Sequence, residues 1–504
     1  MRIVQRILLV LFVCAATLNA DVTDYYKIET IETPKGLLAM CGGLNFLPNG
    51  DMVACFHRGE VYTYSLKTKQ WKLFAQGLHE PLGVVALSNS ELVIMQRPEL
   101  TRVKDTDGDG VADHYQTISD DFGMTGNYHE FAFGPTRDKD GNFYVGLNVA
   151  SNGASIRPEI RGEFRHYGIT RDEFGTDWKK NRGRAGRMYA AAPYRGWIMK
   201  IAPDGTTTPF ASGLRSPNGL AFDADGRLYV SDNQGDWVGT SKVFHIEEGK
   251  FYGHVASLVW RKNWPKGQNP LSMKQSDLDA IRTPAAIVFP HGYMANSPTE
   301  PFMDSTNGKF GPFAGQMFIG EMNRGRIIRM LIDTVDGVTQ GSCIPFVDES
   351  GLRKGNNRFA FGPDNALYVG QTKLSWAGDI GIQRISWTGK TPFAVQSMKL
   401  TKIGFDLEFT LPVDKATASD VSNYPFKRYY YQYHVAYGSK QFDLQEFTPK
   451  SVSISADGKT VSVDLGDKML AGRQFELNFK AIKAKDGTAP LNSLIVYTAN
   501  RLKK

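Results

Sequence analysis

Short apolar runs alternate with turn residues along most of the chain. Gly43-Leu-Asn-Phe-Leu-Pro-Asn-Gly50 precedes Asp51-Met-Val-Ala-Cys55. The same order returns at Phe131 to Gly146, at Gly219 to Asp232 and at Phe359 to Gly370. Weaker copies run from Leu82 to Met95 and from Ile287 to Gly320. Each copy reads as a β-hairpin: alternation gives one buried face, and Asn-Gly or Asp-Gly supplies the positive φ of a tight turn. Six such units predict a six-bladed β-propeller over residues 21–392, with long insertions near 150–190 and 250–285. Beyond 393 the period of two becomes clearer. Tyr429, Tyr431, Tyr433, Val435 and Tyr437 fall on one side, as do Phe475, Leu477, Phe479 and Ala481. A β-sandwich of the immunoglobulin-like kind over 393–504 fits, as an accessory domain. The fold class expected is all-β.

Composition agrees. The chain has 504 residues with 51 glycines, and only 22% are charged. That glycine share argues against a helical bundle, since an interior Gly costs a helix about 1 kcal/mol. The formal net charge is +7. Such a mild excess does not point to nucleic acid.

Arg2 and Arg6 precede an apolar run from Ile7 to Val13, and small residues lead to Ala20 before Asp21. Residues 1–20 read as a secretory signal, too short to span a membrane. The expected location is periplasmic or extracellular. Val13 before Cys14 is not the small residue that a lipoprotein anchor uses, and no later stretch reads as transmembrane. In an oxidising compartment Cys41 and Cys55, on either side of the Asn49-Gly50 turn, read equally as a disulfide or as two buried thiols.

Asp105-Thr-Asp-Gly-Asp-Gly-Val-Ala-Asp113 is the most distinctive local motif. Carboxylates at Asp105, Asp107, Asp109 and Asp113, with the Val111 carbonyl, suit a calcium ion, and Gly110 permits the sharp turn. Gln116 stands where an EF-hand carries Glu, so the loop is expected to be structural and non-helical.

Propeller sites lie where inner strands meet the axis. The segments before each repeat place His129, Arg215, Asn218, His291, Arg324 and Arg358 at comparable positions, with Asn233 just past a strand. Histidine suits a general base. Arginines suit carboxylates. The insertion around 157–195 is basic and aromatic and ends in Tyr194-Arg195-Gly-Trp197, so Arg195 and Trp197 are candidate substrate contacts beside His291.

Arg215-Ser-Pro-Asn-Gly-Leu-Ala-Phe-Asp-Ala-Asp-Gly-Arg-Leu-Tyr-Val-Ser-Asp232, His129 before Phe-Ala-Phe-Gly-Pro135, and Asn357-Arg358 before Phe-Ala-Phe-Gly-Pro-Asp364 resemble the soluble glucose/sorbosone dehydrogenase superfamily of six-bladed propellers. With the aspartate loop and the tyrosine-rich tail, the chain looks like the exported bacterial sorbosone-dehydrogenase-like branch. The resemblance implies pyrroloquinoline quinone as cofactor, assisted by calcium. It implies hydride transfer from a sugar hydroxyl carbon, an external electron acceptor, and His129 as base. Arg215, Asn218, Asn233, Arg324 and Arg358 would then hold the cofactor. Ser216 follows Arg215 where that family carries Asn. Ser216-Pro-Asn-Gly-Leu-Ala-Phe222 also looks like the gluconolactonase–regucalcin propellers. That likeness implies a metal-dependent lactonase using Asn218, with Glu60 and Asp364 as candidate ligands. A non-catalytic propeller that binds glycan or protein through its axial face is the third reading.

Overall fold

The computed structural model describes residues 20–154, 159–176, 186–265, 267–373 and 377–504. Residues 1–19 of the segment read as a signal, Cys14 among them, and the basic residues Arg157, Lys179, Lys180, Arg182 and Arg184 lie outside them.

Six antiparallel sheets follow one another as propeller blades. Blade one runs Cys41–Phe46, Met52–Phe56, Val61–Tyr64 and Trp71–Ala75. Blade two runs Val84–Ala86, Glu91–Met95, Leu100–Lys104 and His114–Ser119. Blade three runs Ala132–Arg137, Phe143–Leu147, Trp197–Ile201 and Thr207–Ser212. Blade four runs Leu220–Phe222, Leu228–Asp232, Lys242–Ile246 and Ile287–Val288. Blade five runs Pro298–Met303, Met317–Glu321, Arg326–Val335 and Val338–Asp348. Blade six runs Asn356–Phe361, Leu367–Gln371 and Gly381–Trp387, and takes its outer strand, Tyr26–Ile31, from the other end of the chain. That borrowed strand closes the ring by pairing Tyr26 with Trp387 and Ile31 with Ile382.

The second strand of every blade is buried or nearly so, since blades stack on both of its faces. Close approach at the axis explains some glycines. A Cβ on Gly83 would stand 1.8 Å from the Gly134 carbonyl oxygen of the next blade.

Two expectations are corrected. Ile287–Val288 is the outer strand of blade four, pairing with Lys242 and Val243, so blade five begins at Pro298 rather than at Ile287. The alternation in the tail ends early. The strand stops at Tyr431, and Tyr433 to Gly438 form a loop that docks on the propeller. There Trp237 N–H donates to the His434 carbonyl, Gly438 N–H donates to the Gly235 carbonyl, and Tyr433 Oη donates to the Gly253 carbonyl. Of the two readings left open for Cys41 and Cys55, the structure has free buried thiols on adjacent strands of blade one.

The C-terminal region is a two-sheet sandwich. One sheet is formed by Val395–Leu400, Gly404–Phe409, Thr460–Asp464 and Ser451–Ile454. The other continues blade five, because Gly341 to Cys343 pair with Thr498 to Val496, giving eight strands. Leu331, Val335 and Ile344 of blade five belong to the sandwich core beside Phe405, Phe475 and Tyr497. Among the described residues no helix is long and apolar enough to cross a membrane.

Candidate functional site

The axial cavity is lined by residues from blades three to six. His129, Asn148, Ser216, Asn218, Asn233, Ser297, Met322, Asn357 and Thr372 surround it, with Tyr128, Phe131 and Phe133. Its volume is about 50 Å³, space for a few waters at ~10–15 Å³ each. Of the expected residues, His129, Asn218 and Asn233 meet here. Asn148, Ser216, Ser297, Met322, Asn357 and Thr372 were not foreseen. A signal for several of them does exist in the sequence. His57, Gln96, Asn148, Asn233, Met322 and Thr372 each follow the second strand of successive blades, and the last four of them line the cavity.

His129 is held by its own loop. Its backbone N–H donates to Asn127 Oδ1 at 3.0 Å, and Nδ1 bonds the Val149 carbonyl at 2.7 Å. A carbonyl only accepts, so Nδ1 carries the proton and Nε2 is left as an acceptor. Burial, then the positive charge of Arg215, pushes the imidazole down to about 3, so it is neutral at pH 7.

The carboxamides are also fixed. Asn148 Nδ2 donates to Ser216 Oγ and Asn233 Nδ2 to Ser297 Oγ, both at 2.9 Å. The Oδ1 atoms of Asn148, Asn218 and Asn233 are buried without a donor. Leaving a buried acceptor unpaired costs about 1–3 kcal/mol, so these three offer sites to water or to a bound group that carries donors.

The arginines fall elsewhere. Arg358 lies across the axis beneath the cavity, 2% exposed. Its Nε donates to the carbonyl of Gly42, its NH1 to those of Asn218 and Asn357, and its NH2 to that of Leu82. The guanidinium also sits 5.3 Å from the Phe133 ring centre. It ties blades one, two, three, four and six together and has no fork left for a cofactor. Glu300 of blade five completes the hub. Burial pushes its carboxyl up to about 7, while the Arg358 charge pulls it back.

Arg195 is fully buried and donates to the carbonyls of Gly123, Glu130 and Phe131. It positions the loop that carries His129 and does not line the cavity. Trp197 Nε1 donates to the Ser257 carbonyl within the core of blade three. Arg324 donates to the Gly292 carbonyl, and His291 stands exposed between blades four and five; neither lines the cavity. Arg215 is adjacent: its neighbour Ser216 lines the cavity, and its own side chain passes over Gly235.

The aspartate loop lies between the third and fourth strands of blade two, in a turn that lines no part of the axial cavity. Carboxylate oxygens of Asp105, Asp107 and Asp109 lie within 4.8 Å of one another and could hold a hard cation. Asp113 instead accepts from the Thr106 N–H and Oγ1. Lys72 Nζ donates to the Asp109 carbonyl.

Two cofactor sets can be tested against these residues. Pyrroloquinoline quinone is a planar three-ring molecule with three carboxylates. Cofactor pockets usually measure ~300–1,000 Å³, and among the described residues no lysine or arginine lines this cavity. The residues present do not fit that quinone. The lactonase ligands do not assemble either. Glu60 sits in a hairpin turn of blade one, and Asp364 is paired with Arg384 at 2.8 Å. Neither reaches the cavity that holds Asn218.

The family described as a domain of unknown function (DUF7133) matches residues 67–252. No curated protein matches the chain. Among solved structures, the PQQ-bound aldose sugar dehydrogenase of Streptomyces coelicolor is similar at 14% identity. The match covers 72% of this chain and 98% of that one, with a TM-score of 0.44. The soluble aldose sugar dehydrogenase of Escherichia coli in its apo form is similar at 15% identity, with 72% and 99% covered and a TM-score of 0.45. The PQQ domain of pyranose dehydrogenase from Coprinopsis cinerea is similar at 11% identity, with 72% and 95% covered and a TM-score of 0.46. At these values the chemistry of the site rests on its own residues.

Proposed function

We propose that the axial face binds a small polyhydroxylated ligand of the sugar class, and that His129 accepts a hydrogen bond from one ligand hydroxyl. The observation that carries this is a set of acceptors without donors: the buried Oδ1 atoms of Asn148, Asn218 and Asn233, three residues that line the cavity with His129. Sugar hydroxyls supply such donors. The cavity has room for the hydroxyl edge of a sugar, with the rest of the ring in its mouth. Calorimetric titration with monosaccharides tests this. Binding that weakens at least tenfold in Asn218→Ala and Asn233→Ala is expected. No heat with any sugar at tens of millimolar would overturn it.

The second reading is an oxidoreductase acting on the CH–OH group of a sugar. The acceptor geometry of His129, with Nδ1 bonded to the Val149 carbonyl and Nε2 left for a ligand hydroxyl, supports it, although burial and Arg215 make that imidazole a weak base. The reading also needs a hydride acceptor, and the residues present do not fit the quinone. Absorbance titration with pyrroloquinoline quinone and calcium decides the matter. Saturable binding, with dye reduction lost in His129→Ala, would restore the quinoprotein reading.

We also propose export, on the apolar run Ile7 to Val13 behind Arg2 and Arg6. N-terminal sequencing of the mature protein should begin at Asp21.

A further inference from the structure

Arg215 is the one buried arginine beside the cavity whose fork is unused. It is 6% exposed, and no side-chain nitrogen meets an acceptor among the described residues; Nε is buried outright. A guanidinium in that position is expensive unless an acceptor arrives. The position is nevertheless built. A Cβ on Gly235 would stand 2.4 Å from Arg215 Cδ and Nε, so the glycine makes the channel in which the side chain lies. The docked loop of the C-terminal domain covers it, with the Tyr437 ring centre 5.7 Å from the Arg215 guanidinium carbon. Arg187, from the blade-three insertion, stands 4.2 Å from the same ring. Two guanidiniums thus flank one tyrosine, and neither has a carboxylate within 4 Å among the described residues.

The charged and titratable groups around this point are Asp232, Asp236, His129 and His254. The Asp232 carboxylate is occupied by the backbone N–H groups of Arg215 and Ser216. Asp236 Oδ2 lies 3.5 Å from His254 Nε2, and its Oδ1 is unpartnered. Two aspartates behind two arginines leave little net charge, which favours a singly charged guest over a doubly charged one. A planar fork matches a carboxylate with two parallel hydrogen bonds.

Resting on the sugar-binding reading, we infer that the ligand is a sugar acid whose carboxylate is gripped by Arg215 and Arg187 around Tyr437, a site shared between propeller and C-terminal domain. The hydroxyls would then face the carboxamides of the cavity.

The test is calorimetry on the full mature chain with D-glucuronate, D-gluconate, D-glucose and glucose 6-phosphate. At least one acid should bind tenfold or more tighter than glucose. That preference should vanish in Arg215→Met and fall severalfold in Arg187→Gln and Tyr437→Ala. Arg215→Lys keeps the charge and should recover part of the affinity. Melting curves identify any variant that fails to fold, and Arg187→Gln, at an exposed position, then carries the test. Equal binding of glucose and both acids overturns this inference and leaves the sugar-binding reading standing. Tighter binding of the phosphate overturns the carboxylate assignment. No binding of any of the four overturns both.

Discussion

Arg358 shows how one side chain can serve the fold from a position that resembles a ligand site. Its donors satisfy carbonyls of four blades at the axis. Arg358→Met should therefore lower stability by about 3–5 kcal/mol, since several buried acceptors lose their donor at once. Urea unfolding measures this; an unchanged midpoint would mean that the arginine is free for a ligand. His129 makes a second residue-scale prediction. Its folded-state value of about 3 lies below the ordinary 6.5, as does that of His57, also about 3 through burial. Between these limits the unfolded chain binds more protons, so stability falls as pH drops from about 6.5 toward 3. Glu300 acts in the opposite sense, because its raised value of about 7 lets the folded state hold a proton between about 4.5 and 7. Glu300 therefore offsets part of what the histidines lose on acidification, and removing the His129 imidazole isolates its own share. His129→Gln cannot titrate and should lose less melting temperature than the parent between pH 7 and pH 5, by a few degrees.

At the scale of elements, the hairpin repeat was readable because its signals are local. Alternation over five residues and an Asp-Gly or Asn-Gly turn need no tertiary information. Ile287 and Val288 were misplaced for the complementary reason. Two residues carry no period, and only pairing with Lys242 and Val243 assigns them to blade four. The alternation from Tyr433 to Tyr437 was misread similarly. It is regular in sequence, but hydrogen bonds to Gly235, Trp237 and Gly253 draw that stretch off the sheet edge and onto the propeller. The aspartate loop belongs at this scale too. Calcium there would join the third and fourth strands of blade two. Chelation by EDTA should then lower the melting temperature by about 2–4 °C per kcal/mol of stabilisation lost. Asp105→Asn should abolish that response, and identical melting with and without chelator would count against calcium.

For the whole molecule, the decisive feature is the seam between blade five and the sandwich. Because Gly341 to Cys343 pair with Val496 to Thr498, the two regions share one sheet and part of one core. A chain ending at residue 392 would expose the Val338–Asp348 edge together with Leu331, Val335 and Ile344. Exposed apolar edges recruit other strands, so that fragment should elute as aggregate in size exclusion with light scattering. A monodisperse monomer would show that the seam is dispensable.

The sequence by itself determined the all-β class, the sixfold hairpin repeat, and the loops on which His129, Asn218 and Asn233 sit, because turn chemistry and period are encoded within a few residues. Short motifs carried the resemblance to sugar dehydrogenases, and the segments before each repeat placed six residues at comparable axial positions. Only the tertiary structure decided which of them face a cavity. Direction at the axis depends on what the other blades present there. Carbonyls from four blades claim Arg358, a loop carbonyl fixes His129, and Arg215 is left unpaired beside a tyrosine more than two hundred residues away in the chain. No local pattern records such distant partners, which is why the guanidiniums read alike in sequence and differ in role.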